Sequence, residues 1–225
     1  AYHIEKDSEL ITDNHNLTQL RSNFNIEHYL LEDIRLRGVS RRLMNSCENY
    51  FEYRIEESKV IDHGIFGGLL LYDRLLKIRR RKAAANEESL FWGEALENQY
   101  KLAASAIATH NIWMPMKNQY ELYSRYGLND LINFPPLKFN NFNFLYLLGI
   151  IDTIDPIKTF NDDGLNEKYI FENLKMELKK SSIVFSVVKN SRLDFQKLIN
   201  KCNSYVGWLD VKVNYDNNRL EIKFR

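Results

Sequence analysis

"KVIDHGIFGGLLLYDRLL", residues Lys59 to Leu76, sets Asp62 and His63 ahead of an apolar run broken by Gly64, Gly67 and Gly68. Its apolar positions recur at helical intervals and predict a helix from about Ile61 to Lys82, ending in the charged run "KIRRRK". Glycine inside a helix costs roughly 1 kcal/mol relative to alanine. Three glycines in so short a stretch therefore imply that another backbone comes very near, or that the helix holds a group whose position outweighs its stability.

Helical periodicity extends on both sides. Upstream, "HNLTQLRSNFNIEHYLLEDIRLRGVSRRLMNSCENYFEYRIEE" reads as two or three amphipathic helices with a break at Gly38. Downstream, the loop "AAANEES" leads to a long helix, "SLFWGEALENQYKLAASAIATHNIW", stopped by Pro115. "QYELYSRYGL" is a further short helix, and Pro135 and Pro136 make "INFPPLKFN" a loop. "FNFLYLLGIIDTID" is a largely buried helix closed by Pro156.

The pattern changes near residue 180. "SSIVFSVV" is β-branched and reads as a strand, "LDFQKLINKCNSYVGWL" as an amphipathic helix, and "DVKVNYDNNRLEIKFR" as a hairpin about a "DNN" turn. The expected architecture is mainly α: a helical domain over residues 1–180 with a small βαββ (α+β) appendage over 181–225. An edge of that hairpin could pair with a second chain to make a homodimer.

A net charge of +1 gives no global electrostatic case for a nucleic-acid or anionic-membrane partner. Cys47 and Cys202 are the two cysteines, too few for a disulfide framework or a cysteine-rich zinc site. With the polar opening "AYHIEKDSELITDNHNL", they set the expectation of a cytoplasmic protein without a secretory leader. The longest apolar stretches are too short to span a bilayer. "KIRRRK" (Lys77 to Lys82) is expected to be a solvated helix end matched to the dipole rather than a nucleic-acid patch.

Three polar residues stand where a core argument disfavours them. His63 opens the glycine-bearing helix; His110 follows Ala103 and Ala106 at helical spacing; Asp152 interrupts "FLYLLGIIDTI". A carboxylate in such a setting needs a cation or several donors. Small residues beside His110 and glycines after His63 would let the helices close and bring both imidazoles toward one point. Two imidazoles with a carboxylate form a borderline-to-hard ligand set suited to a divalent metal, Mn, Fe, Zn or Mg. Such a metal acidifies a bound water and polarises a phosphoryl oxygen, which points to phosphate-ester hydrolysis.

Each residue also has a structural role open to it. His63 could be satisfied by a backbone group at its helix start, and His110 lies near a helix C-terminus that favours an imidazolium. Asp152 could pair with Arg54 or Arg74. Asp62 could answer its helix dipole or orient His63. Asp155 reads as a polar helix end, and Trp92 and Trp113 as core.

Over roughly residues 50–160 the chain resembles the HD superfamily of metal-dependent phosphohydrolases, all-helical proteins. "IDHGIFGGLLL" is similar to the segment with that family's first His, "AASAIATHNIW" to a later His-bearing helix, and "LYLLGIIDTIDP" to the segment with its terminal metal Asp. The resemblance implies an HD-type helical bundle, His63, His110 and Asp152 as metal ligands, and Asp155 as a neighbour of Asp152. It also implies a phosphoester or nucleotide as substrate. Asp62, Arg54 and Arg74 are the accompanying catalytic candidates, the arginines as phosphate contacts.

One feature departs from the family: the His-Asp dyad should fall between His63 and His110, and residues 64–109 contain no histidine. Glu94 precedes His110 by 16 residues of one expected helix, more than about 20 Å at 1.5 Å per residue. The sequence thus carries two expectations, a divergent phosphohydrolase and a catalytically inactive relic that senses a ligand or binds a protein.

Overall fold

The computed structural model describes residues 16–37, 41–59, 61–85, 93–112, 120–132 and 135–225. The chain forms two compact units that divide between residues 134 and 135. In the first lie α1 (Leu17–Asn23), α2 (Leu30–Arg37), α3 (Arg41–Ser58), α4 (His63–Ala84), α5 (Gly93–Thr109), α6 (Tyr120–Arg125) and α7 (Asn129–Ile132). The predicted loop "AAANEES", Trp92 and Trp113 fall wholly or partly outside the described residues, and the side chain of Glu94 does too.

The axis of this unit is the seam between α4 and α5. A Cβ on Gly64 would meet the Ile107 carbonyl at 2.8 Å and the His110 ring at 2.9 Å; one on Gly68 would meet the Ala104 carbonyl at 2.6 Å and the Ala108 Cβ at 2.8 Å. Two of the three glycines therefore serve backbone approach, and at Gly67 a Cβ would find ordinary contact, 3.8 Å from Ile107. The small residues facing them are Ala104 and Ala108, not the predicted Ala103 and Ala106. The seam follows the carbonyls of residues 104 and 107, which the spacing from His110 does not reveal. Helices α2 and α3 pack around this pair, burying Leu30, Leu31, Phe51, Phe66 and Leu69.

Asp73 ties the segment between α1 and α2 to α4. Its Oδ1 accepts from the amides of Glu27 at 2.9 Å and His28 at 3.0 Å, and Lys77 Nζ lies 2.9 Å from its Oδ2. Burial raises the pKa of Asp73, but the His28 amide, Lys77 and the Glu27 amide outweigh it and hold the carboxyl below its ordinary value.

The second unit holds α8 (Asn143–Thr153), α9 (Pro156–Phe160), α10 (Glu167–Asn173), β1 (Leu174–Lys179), β2 (Ser182–Val187), α11 (Phe195–Ser204), β3 (Val211–Tyr215) and β4 (Arg219–Phe224). All pairings are antiparallel, in the order β1-β2-β4-β3. The appendage expected as βαββ is thus ββαββ. The boundary expected near residue 180 lies in the turn between β1 and β2, inside this unit. Residues after Pro135 belong with the sheet because backbone bonds stitch them to it. Leu137 N–H donates to the Trp208 carbonyl and Asp210 N–H to the Leu137 carbonyl, each at 2.8 Å, and Phe139 stacks on Phe224.

Helix α10 runs into β1 with no intervening residue, and the N–H of Leu174, first in the strand, still donates to the Ile170 carbonyl of the helix. The "DNN" turn forms as expected, with Asp216 Oδ1 accepting from the amides of Asn218 at 3.0 Å and Arg219 at 2.9 Å. Among the described residues no helix is long and apolar enough to cross a membrane.

Candidate functional site

Asp62 is the N-cap of α4. Its backbone is extended and its carboxylate, fully buried, accepts from the Ile65 amide at 2.9 Å. That fixes the direction of the first turn and sets His63 at the first helical position, exposed. The second Asp62 oxygen faces Arg54 of α3 at 4.0 Å, and among the described residues neither that oxygen nor Arg54 Nε has a hydrogen-bond partner. The spacing is an ion pair too long for a hydrogen bond.

His110 sits just past the last residue of α5 and is 5 % exposed. Its Nδ1 lies 2.6 Å from the Ile107 carbonyl. A carbonyl only accepts, so Nδ1 carries the hydrogen, and in the neutral ring Nε2 holds the lone pair. Because Gly64 has no Cβ, α4 reaches this ring, and the imidazoles of His63 and His110 meet edge-on with centroids 5.3 Å apart and planes at 60°. The amide nitrogen of Asn111 lies 3.2 Å from Nε2 of His63, and the Tyr50 hydroxyl donates to the Asn111 carbonyl at 2.7 Å. Burial, then Tyr123 and Asp62, raise the pKa of Tyr50 far above the ordinary tyrosine value, so it stays a neutral donor.

Of the predicted site residues, then, His63 meets His110, and the adjacent Asp62 faces Arg54. His63 lies open to solvent, not in a buried centre. Arg74 is exposed on α4, about 16 Å from His63 along the helix axis at 1.5 Å per residue. Asp152 belongs to the second unit, half-buried near the end of α8, and accepts from Lys158 Nζ at 2.9 Å. Asp155 is the N-cap of α9, accepting from the Ile157 amide at 2.9 Å ahead of Pro156. Among the described residues, no three His, Cys, Asp or Glu side chains group so as to hold a metal ion.

The basic run after Leu76 is partly consumed by its own fold. Lys77 pairs with Asp73 and Glu27, and Arg79 with Glu97, while Arg80, Arg81 and Lys82 are exposed. Asn111 and Tyr50 are the members of the cluster that sequence reasoning missed. Asn111 adjoins His110 in "THNIW" and could have been read from that adjacency; Tyr50 carried no signal of its own.

At the start of a 22-residue helix the two imidazoles and the Asn111 side-chain amide lie together, while the Asp62 carboxylate turns inward to the helix and faces Arg54. Comparison with protein-family models, curated proteins and solved structures finds no match.

Proposed function

We propose that the chain is a divergent HD-type module that binds a small phosphate-bearing molecule, such as a nucleotide, at the His63–His110 pair without turning it over. The observation that carries this reading is the edge-on imidazole pair with Asn111 beside it, His63 being next in the chain to the Asp62 that faces Arg54. His63, Arg54 and Asn111 carry N–H groups that can donate to phosphate oxygens, and His110, whose Nδ1–H is held by the Ile107 carbonyl, can donate through Nε2 when its ring is protonated. Asp62, whose Oδ1 holds the Ile65 amide, orients His63 through the cap.

The rival reading, a metal-dependent phosphohydrolase, takes its support from the resemblance of the His63, His110 and Asp152 segments. Its metal would be held by the two imidazoles with a further ligand, and would supply an acidified water. One experiment separates the two. Inorganic phosphate and adenosine monophosphate are titrated into wild type and His63→Ala by calorimetry, alongside elemental analysis and a phosphoesterase assay with Mn²⁺, Fe²⁺, Mg²⁺ and Zn²⁺. Binding at least about tenfold weaker in His63→Ala, without product in any metal, supports the binding module. Stoichiometric metal lost in the variant, with phosphoester cleavage, establishes the hydrolase. Absence of both binding and cleavage overturns both readings.

A further inference from the structure

β1 is an edge strand, and among the described residues none pairs with its outer side. Met176 stands opposite Phe185 and Leu178 opposite Ile183, and these continue to Leu220 and Ile222 on β4. Directly opposed residues share a face. That face is buried at β2 and β4, where the four partners are at most 1 % exposed, but Met176 is 58 % and Leu178 71 % exposed. The apolar face thus runs on past its cover. The other face of β1 carries Lys175, Glu177 and Lys179, with Lys179 Nζ 3.6 Å from Glu177.

The backbone points the same way. Val188 N–H donates to the Asn173 carbonyl at 2.9 Å, the bond that brackets a non-hydrogen-bonded pair, so Leu174 and Val187 form one. By alternation Met176 and Leu178 are also non-hydrogen-bonded toward β2, and their N–H and C=O groups point to the open edge. Natural edges are blunted by proline, bulges, short length or charged side chains, lysine above all. β1 has no proline or bulge and all six of its residues pair with β2 in unbroken register, while its charged residues, Lys175, Glu177 and Lys179, alternate in sign along one face so that a second strand can pair them.

We propose that β1 pairs antiparallel with β1 of a second copy of this chain, centred on Met176. Lys175 then faces the partner's Glu177, and Glu177 the partner's Lys175, while Leu178 packs against the partner's Leu174. Met176 exchanges both backbone bonds with its counterpart. Leu178 N–H donates to the partner's Leu174 carbonyl, leaving Leu174 N–H with Ile170. Centring on Glu177 would set that residue on itself and Lys175 on Lys179, like charge on like. Centring on Leu178 would need Lys180, which lies in a turn. The charge pattern and the end of the strand at Lys179 together select one register, and the result is a continuous eight-stranded sheet. The edge used is the one opposite β3, to which the sequence had pointed.

Sedimentation of the full chain over a concentration series tests this, with circular dichroism to verify each fold. The expected result is a concentration-dependent dimer that Leu178→Glu abolishes. Lys175→Glu and Glu177→Lys each weaken it about tenfold, because each places like charges opposite one another twice. The double swap Lys175→Glu/Glu177→Lys restores it. A monomer at every concentration, a dimer indifferent to these changes, or a double swap that restores nothing overturns the proposal.

Discussion

At the scale of single residues the seam between α4 and α5 separates two glycines of one helix. A Cβ at position 68 would stand 2.6 Å from the Ala104 carbonyl, whereas at 67 it would find 3.8 Å to Ile107. Gly68→Ala is therefore expected to destabilise the protein by about 1–3 kcal/mol through forced separation of backbones. Gly67→Ala should stabilise it by up to about 1 kcal/mol through helix propensity. Denaturant unfolding of the two variants checks the opposite signs. The sequence left two accounts of these glycines, close approach of another backbone or a group held at the cost of helix stability, because glycine there is otherwise disfavoured. It did not say which glycines were obliged, since that depends on the rotation of α5.

At the scale of elements, Asp73 joins α4 to the chain entering α2. Asp73→Ala leaves the amides of Glu27 and His28 without their acceptor and should cost about 3 kcal/mol. Its carboxyl is held below its ordinary value in the folded state, so the unfolded chain takes up the proton first as pH falls. The stabilisation is full above the unfolded value, about 3.9, and is lost as pH falls through the folded one. Lys77 supplies the opposite limb. The Asp73 bond raises its pKa, so its contribution is complete below the ordinary lysine value and lost as pH rises through the folded one. Unfolding midpoints measured against pH should show the acid limb in wild type, and Asp73→Asn should flatten it. Elements as such were legible to different degrees. The helix predicted over 61–82 spans His63–Ala84, because its apolar period and the Asp62 cap both mark it. β1 was not legible: "LKMELK" is made of strong helix formers, and pairing with β2 overrides that preference.

For the molecule as a whole, the second unit carries its own core and its own stitching. Tyr146 of α8 donates to the Asp210 carbonyl at 2.7 Å, and burial pushes its pKa up to about 12. Residues 135–225 expressed alone are accordingly expected to unfold cooperatively and to give a dispersed amide spectrum; a collapsed spectrum would contradict this. The candidate site was legible in part for the same reason that the units are distinct. His63 and His110 come together across one helix pair inside the first unit, where Gly64 admits the His110 ring, although the alanines at the seam are Ala104 and Ala108 and not the expected Ala103 and Ala106. Asp152 and Asp155 belong to the second, where they engage Lys158 and cap α9, partners set by short sequence separation. A further consequence comes from the junction of α10 and β1, which leaves no slack between helix and strand. To slide against β2, β1 would have to unwind the turn in which Leu174 bonds Ile170, and a one-residue slip would turn Phe185 and Ile183 out of line with Met176 and Leu178. The helix thus acts as a ratchet stop on the frame in which the outermost strand is read.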